Sequence, residues 1–143
     1  MRIAQVAPLA ESVPPKLYGG TERVISWLTE ELVSLGHQVT LFASGDSNTG
    51  ANLVPVWPRG LRLGRPKTDP AIPQTALLGA IAEYASDFDV IHCHTDWVQL
   101  PLLTRLNAPF VTTTHNRLDL PGLPRLVSQF PQAPFISISL PRR

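Results

Sequence analysis

The chain lacks the features that announce several common classes of protein. It holds a single cysteine, Cys93, among 143 residues. A lone thiol forms no internal disulfide, which fits a reducing compartment. Charge of one sign is also lacking: 12 Lys and Arg face 11 Asp and Glu, a net +1. Such a balance leaves no footprint for nucleic acid. The one basic cluster, Arg59, Arg62, Arg65 and Lys67, lies among prolines and reads as a solvated loop face. No apolar run is long enough to span a bilayer. The first residues are too short and too interrupted, by Gln5 and Pro8 with Glu11 soon after, to make a signal peptide. A cytoplasmic chain with no transmembrane segment and no nucleic-acid partner is expected. Both a full G-x-G-x-x-G fingerprint and a Walker lysine are missing, so neither a dinucleotide site nor a P-loop is supported. There is no internal repeat and no low-complexity segment.

What is present is globular composition, 43% hydrophobic and 16% charged, at a length that fits one domain. Fifteen prolines, many in connections, imply stiff loops between short elements. Residues 2–7 form an apolar run stopped by Pro8, a buried strand. Thr21 can cap a helix, with Glu22 in its first turn. The helix runs to about Leu35, burying Val24, Ile25, Leu28, Leu32 and Leu35, with Trp27 also in the core and Gly36 as the stop. Residues 38–43 and 53–56 read as strands, 74–86 as a helix and 88–93 as a strand. Thr95 or Asp96 can cap a helix reaching Leu106. Residues 110–114 are a β-branched strand, 123–130 a helix and 135–139 a last strand. Strands and helices alternate, so the class is α/β: a Rossmann-like, doubly wound, mostly parallel sheet with helices on both faces.

Ligands of open α/β sheets bind beyond the carboxyl ends of the strands. The polar residues expected there are Tyr18 to Glu22, His94 to Trp97, His115, Asn116, Arg117 and Asp119, with Ser137 and Ser139 after the last strand. Gly19-Gly20 before a helix can let a diphosphate approach free backbone N–H groups, or can serve a tight loop. His92 and His94 are two apart and share one side of their strand, while Cys93 points to the other. His92 reads as a buried, hydrogen-bonded residue, and His94 as a substrate contact. His115 can bond a sugar hydroxyl or stabilise developing charge. Trp97 can pack or can stack on a sugar ring. His92, His94, Asp96 and His115 can also be read as metal ligands, in which case the chain is a metal-dependent hydrolase.

Several stretches together resemble a known family. They are the opening Met1 to Pro8, Tyr18-Gly19-Gly20-Thr21-Glu22-Arg23-Val24 and Leu35 to Phe42. Phe88 to Trp97, Thr113 to Pro121 and Ile136 to Ser139 complete the set. They are similar to the N-terminal domain of glycosyltransferase family 4. The resemblance implies a GT-B architecture of two Rossmann-like domains, of which residues 1–139 are the N-terminal, acceptor-side one. It implies retaining transfer of a sugar from a nucleotide-sugar donor to an acceptor, with no cofactor and no metal. By position, Gly19 and Gly20 match the loop that approaches the donor diphosphate, and His115 matches the histidine that contacts the transferred sugar, the catalytic candidate. Thr21, Glu22, His94, Asp96, Arg117 and Asp119 fall where acceptor or substrate contacts are expected. The family's donor-binding domain has no counterpart here, and the tail 140–143 departs from the family pattern, as a truncation or frame shift would. The chain alone is therefore expected to be inactive, and a separately encoded C-terminal half is a possible partner. A stand-alone sugar- or nucleotide-binding module without catalysis is the alternative.

Overall fold

The computed structural model describes residues 1–138. Ser139 and the tail 140–143 lie outside the described residues. Six strands form one all-parallel sheet: β1 (Arg2–Val6), β2 (Gln38–Ser44), β3 (Asn52–Trp57), β4 (Val90–Cys93), β5 (Phe110–Thr114) and β6 (Phe135–Ser137). Their order across the sheet is β3-β2-β1-β4-β5-β6. This is the doubly wound order, in which the direction of travel reverses between β1 and β4. Four helices connect the strands: α1 (Gly20–Ser34), α2 (Ala71–Tyr84), α3 (Leu100–Leu106) and α4 (Leu123–Val127).

Strand alternation divides the core into two. On one face Ala4, Val6, Phe42, Ile91 and Cys93 pack with Leu77 and Ile81 of α2 and Leu103 of α3. On the other, Ala7, Leu41 and Ala43 pack with Ile25 of α1. Helices therefore cover both faces, as the alternating pattern required. The Cys93 side chain sits in the first core, where burial pushes its thiol up to about 12. A thiol held protonated there is a small apolar filler.

Several boundaries differ from the sequence reading, each for a local reason. Thr21 does not cap α1; Gly19 is the N-cap, without a side-chain hydrogen bond, and Thr21 is the second helical residue. The face that α1 buries is set by Glu22, Ile25 and Thr29, so Trp27, at 66% exposed, stands in solvent rather than in the core. Val24 and Leu35 are exposed with it. The apolar residues of this helix are spread too widely for one face, and the polar Glu22 and Thr29 take inner positions. Gly36 does end the helix. At φ +91° it lets its own N–H reach Val33 O and lets His37 N–H reach Leu32 O, the paired closure that satisfies the last carbonyls.

Helix α3 begins five residues after Thr95, so neither Thr95 nor Asp96 caps it. Buried Gln99 holds the intervening turn instead. Its Nε2 donates to Asp96 O (3.1 Å) and to Thr112 Oγ1 (2.8 Å), and its Oε1 accepts from Thr95 Oγ1 (2.7 Å). Helix α2 starts earlier than expected, at Ala71, with Pro73 inside its first turn, where a missing N–H costs no helical bond. The basic loop closes on itself: Lys67 Nζ donates to Leu61 O and Arg62 O, and Arg62 pairs with Glu11 at 3.2 Å and lies over the Tyr18 ring.

Replacing Ile25 by Ala is expected to lower stability by about 2–4 kcal/mol, because the site is sealed between helix and sheet. Trp27→Ala is expected to change it by less than about 1 kcal/mol. Chemical denaturation of both variants checks the reassigned face.

Candidate functional site

The reversal between β1 and β4 leaves a crevice at the carboxyl edge of the sheet. A pocket of about 320 Å³ occupies it. Three strand ends supply its walls: Pro8, Leu9 and Ala10 after β1, His94, Thr95 and Asp96 after β4, and His115 and Asn116 after β5. Thr21 and Glu22 close it from the first turn of α1, and Leu61, Pro70, Gln74 and Leu77 close it from the α2 side.

The pocket thus gathers Thr21, Glu22, His94, Asp96 and His115 from among the residues singled out in the sequence. Gly19 and Gly20 immediately precede its α1 wall but do not line it. Arg117 and Asp119 also stand apart. Both are exposed, and Arg117 Nε and Nη2 donate to Asp119 Oδ1 and Oδ2 at 2.8 and 2.7 Å. The pairing holds the Asp119 carboxyl below its usual range. Trp97 is half-buried and does not line the pocket.

The two adjacent glycines have different surroundings. A Cβ at Gly19 would fall 2.8 Å from Glu22 Oε2 and 2.8 Å from Pro15 Cβ, so the loop is closed around it. A Cβ at Gly20 would meet nothing within 4 Å. The Glu22 carboxyl therefore lies against the glycine loop at the start of α1. Burial raises its pKa, its own backbone N–H opposes that, and nearby Glu11 adds to it.

Behind the pocket wall lies a chain of buried polar groups. Gln5 is nearly inaccessible and sits beside His92 in the β1–β4 ladder. His94 Nε2 is 2.7 Å from Gln5 Oε1, and His92 Nδ1 is 3.2 Å from Gln5 Nε2. His94 Nδ1 is 3.0 Å from His115 Nε2, and His92 Nε2 is 2.6 Å from Thr113 Oγ1. The rings of His92 and His94 lie 4.2 Å apart between centroids, and those of His94 and His115 5.2 Å apart. All three imidazoles are held neutral. Burial pushes His94 down to about 2, and repulsion from His92 and His115 adds to this. Burial lowers His92 and His115 too, with Asp96 partly opposing the shift at His115.

Asp96 forms the pocket's acidic edge. Its backbone is left-handed, φ +58°, an uncommon state for a residue with a side chain. Gln99 holds its carbonyl, and Asn116 Nδ2 donates to its Oδ2 at 2.8 Å. Among the described residues no three His, Cys, Asp or Glu side chains are grouped to hold a metal ion. The metal-hydrolase reading of His92, His94, Asp96 and His115 therefore finds no ligand set. Five of the six ring nitrogens of the three histidines are already engaged within the protein.

Sequence reasoning missed Gln5 and Thr113, which it placed in plain strands. The available signal was an amide in the middle of an apolar run, since a buried polar group requires a partner. It also missed the far wall, where Leu61 and Pro70 come from a loop without periodicity and Gln74 and Leu77 from α2.

A six-stranded parallel sheet in doubly wound order, with a crevice at its switch point, defines a Rossmann-like domain. The chain belongs to glycosyltransferase family 4, whose model matches residues 18–138. Among solved structures, AviGT4, a glycosyltransferase involved in avilamycin A biosynthesis, is 28% identical with a TM-score of 0.55, over 80% of this chain and 32% of that one. Sucrose-phosphate synthase from Thermosynechococcus elongatus is 16% identical with a TM-score of 0.53, over 80% of this chain and 33% of that one. MurG from Acinetobacter baumannii is 12% identical with a TM-score of 0.58, over 99% of this chain and 46% of that one. The last two show likeness of fold alone. The chain thus spans from about a third to under half of the length of these GT-B structures. No curated protein matches it. Among the described residues no helix is long and apolar enough to cross a membrane.

Two outcomes are expected. Gly19→Ala is expected to cost about 1–3 kcal/mol by forcing Glu22 and Pro15 apart, while Gly20→Ala leaves the fold intact. Thermal denaturation separates them. The second concerns pH. An unfolded histidine takes a proton near 6.5, whereas folded His94 refuses one until about 2. The unfolded state therefore binds more protons in that window, and stability falls as pH drops below 6.5. His94 alone is expected to account for a loss of about 2 kcal/mol between pH 7 and pH 5, with His92 and His115 adding in the same direction. Glu22, with its raised pKa, acts in the opposite sense at lower pH. Urea titrations at the two pH values, on the parent chain and on His94→Asn, measure the slope and its source.

Proposed function

We propose that this chain forms one wall of a retaining sugar-transfer cleft, receiving an acceptor and approaching the sugar of a nucleotide-sugar donor. The observation that carries the reading is the pocket at the switch point, where His94, Asp96 and His115 meet the first turn of α1. The free N–H groups of that turn suit an anion such as the donor diphosphate, with Gly20 leaving room for close approach. Neutral His115 suits a sugar hydroxyl, and Asp96, braced by Asn116, offers acceptor oxygens to another. Thr21, Glu22 and His94 complete the substrate wall. Arg117 and Asp119 contact substrate only if their mutual pairing opens. The chemistry requires no cofactor and no metal, and the nucleotide sugar is a substrate. The setting is the cytoplasm, where nucleotide sugars serve as substrates.

Sugar transfer needs donor, acceptor and charge-stabilising groups held together in a cleft shielded from water. One wall does not shield the reacting atoms. The chain by itself is therefore inactive, and transfer requires a second donor-binding domain, whether on the same chain or supplied separately.

The test is calorimetric titration of the 143-residue chain with a panel of nucleotide sugars and saccharide acceptors, with turnover followed in parallel. Weak binding without turnover is expected, reduced about tenfold by His115→Ala, as loss of one hydrogen bond implies. Robust transfer by the chain alone would overturn its inactivity. No binding by any saccharide or nucleotide sugar would overturn the carbohydrate reading.

A further inference from the structure

We propose that Gln5, His92 and Thr113 act as positioning residues, forming a one-way hydrogen-bond chain that holds His94 and His115 in single neutral tautomers. The outermost member then presents a bare Nδ1 as an acceptor for a substrate hydroxyl. The role of that last hydroxyl rests on the carbohydrate reading above; the chain itself does not.

The direction follows from the chemistry of the amide. Gln5 Oε1 can only accept, so His94 Nε2 at 2.7 Å must carry a hydrogen. Gln5 Nε2 can only donate, so His92 Nδ1 at 3.2 Å must be bare. A neutral imidazole carries one N–H. His92 therefore has its hydrogen on Nε2 and donates to Thr113 Oγ1 at 2.6 Å. His94, with its hydrogen on Nε2, has a bare Nδ1 and accepts from His115 Nε2 at 3.0 Å. His115 then has no hydrogen left for Nδ1, and among the described residues no hydrogen bond reaches that nitrogen. Every bond from His115 through His94, Gln5 and His92 to Thr113 points the same way.

The arrangement resists both alternatives. Moving the hydrogen of His94 to Nδ1 would set two acceptors against each other at Gln5 Oε1. Protonating His94 would set two N–H groups against each other at His115 unless His115 also changed tautomer. Both the depth of Gln5 and His94 and the lowered pKa of all three histidines favour the neutral chain. Rotating the Gln5 amide by half a turn would reverse every bond and leave His115 with a bare Nε2 toward His94 and a hydrogen on Nδ1. The amide is thus the element that decides whether the pocket meets an acceptor or a donor.

Histidine tautomers are read directly from long-range nitrogen–proton correlation spectra of the 15N-labelled 143-residue chain at pH 7, without any ligand. Protonated Nε2 and bare Nδ1 are expected at all of His92, His94 and His115. Thr113→Val removes the terminal acceptor, and Gln5→Leu removes the amide that sets the direction. Each is expected to convert His115, which hydrogen-bonds to neither residue, from one tautomer to a mixture, while Thr113→Ser restores the parent spectrum. Should Gln5→Leu fail to fold, the Thr113 pair and the parent spectrum still decide. A hydrogen on His115 Nδ1 in the parent chain, or a His115 spectrum indifferent to Thr113→Val, would overturn the proposal. Those outcomes leave the carbohydrate reading standing, and a failed saccharide titration leaves the tautomers standing.

Discussion

The register of β1 against β4 is the constraint on which the site depends. Ile3 lies beside Val90, Gln5 beside His92 and Val6 beside Cys93. Because side chains alternate along a strand, this register sends Gln5, His92 and His94 to one face and Val6, Ile91 and Cys93 to the other. A slip by one residue would bring the imidazoles into the apolar core beneath α2 and α3 and turn Ile91 toward Gln5. Each misplaced polar group would then be buried without a partner, at a cost of about 1–3 kcal/mol apiece. The apolar core and the polar chain therefore specify the same register independently.

From that register the crevice follows. β1 and β4 are neighbours although α1, β2, β3 and α2 intervene in sequence. Their connections leave in opposite directions, so no loop fills the gap between their ends. The pocket is the space so left, and its contents are whatever residues come next in each chain segment: Pro8 to Ala10, His94 to Asp96, and one strand further His115 and Asn116. Membership of glycosyltransferase family 4 gives this wall a setting, one Rossmann-like unit of a GT-B architecture.

Much of the fold was legible in the sequence because its strands are short, apolar and punctuated. Pro8 marks the end of β1, Gly36 the end of α1, and the β-branched run at 110–114 is unambiguous. The convergence of the residues after β1, β4 and β5 also followed from alternation of strands and helices alone. What escaped was decided by tertiary contact. Trp27 is apolar yet exposed, because α1 turns Glu22 and Thr29 inward. Asp96 looks like a helix cap but takes a left-handed turn that Gln99, a residue with no local signal, holds in place. Arg117 and Asp119 are close enough to the site in sequence to suggest contact, yet each satisfies the other in solvent. Gln5 is the instructive case, a polar residue in a buried strand whose partners lie 87 and 89 positions away. No window of sequence contains that pairing.

The site rests on the side-by-side placement of Gln5, His94 and His115 by β1, β4 and β5 at one pocket. That placement is tested most directly by nuclear Overhauser contacts in the chain itself. It requires cross-peaks from the Gln5 side-chain amide to the ring protons of both His92 and His94, and from the His94 ring to that of His115. Contacts from the Gln5 amide to Ile91 or Cys93 instead, or none between the His94 and His115 rings, would contradict it.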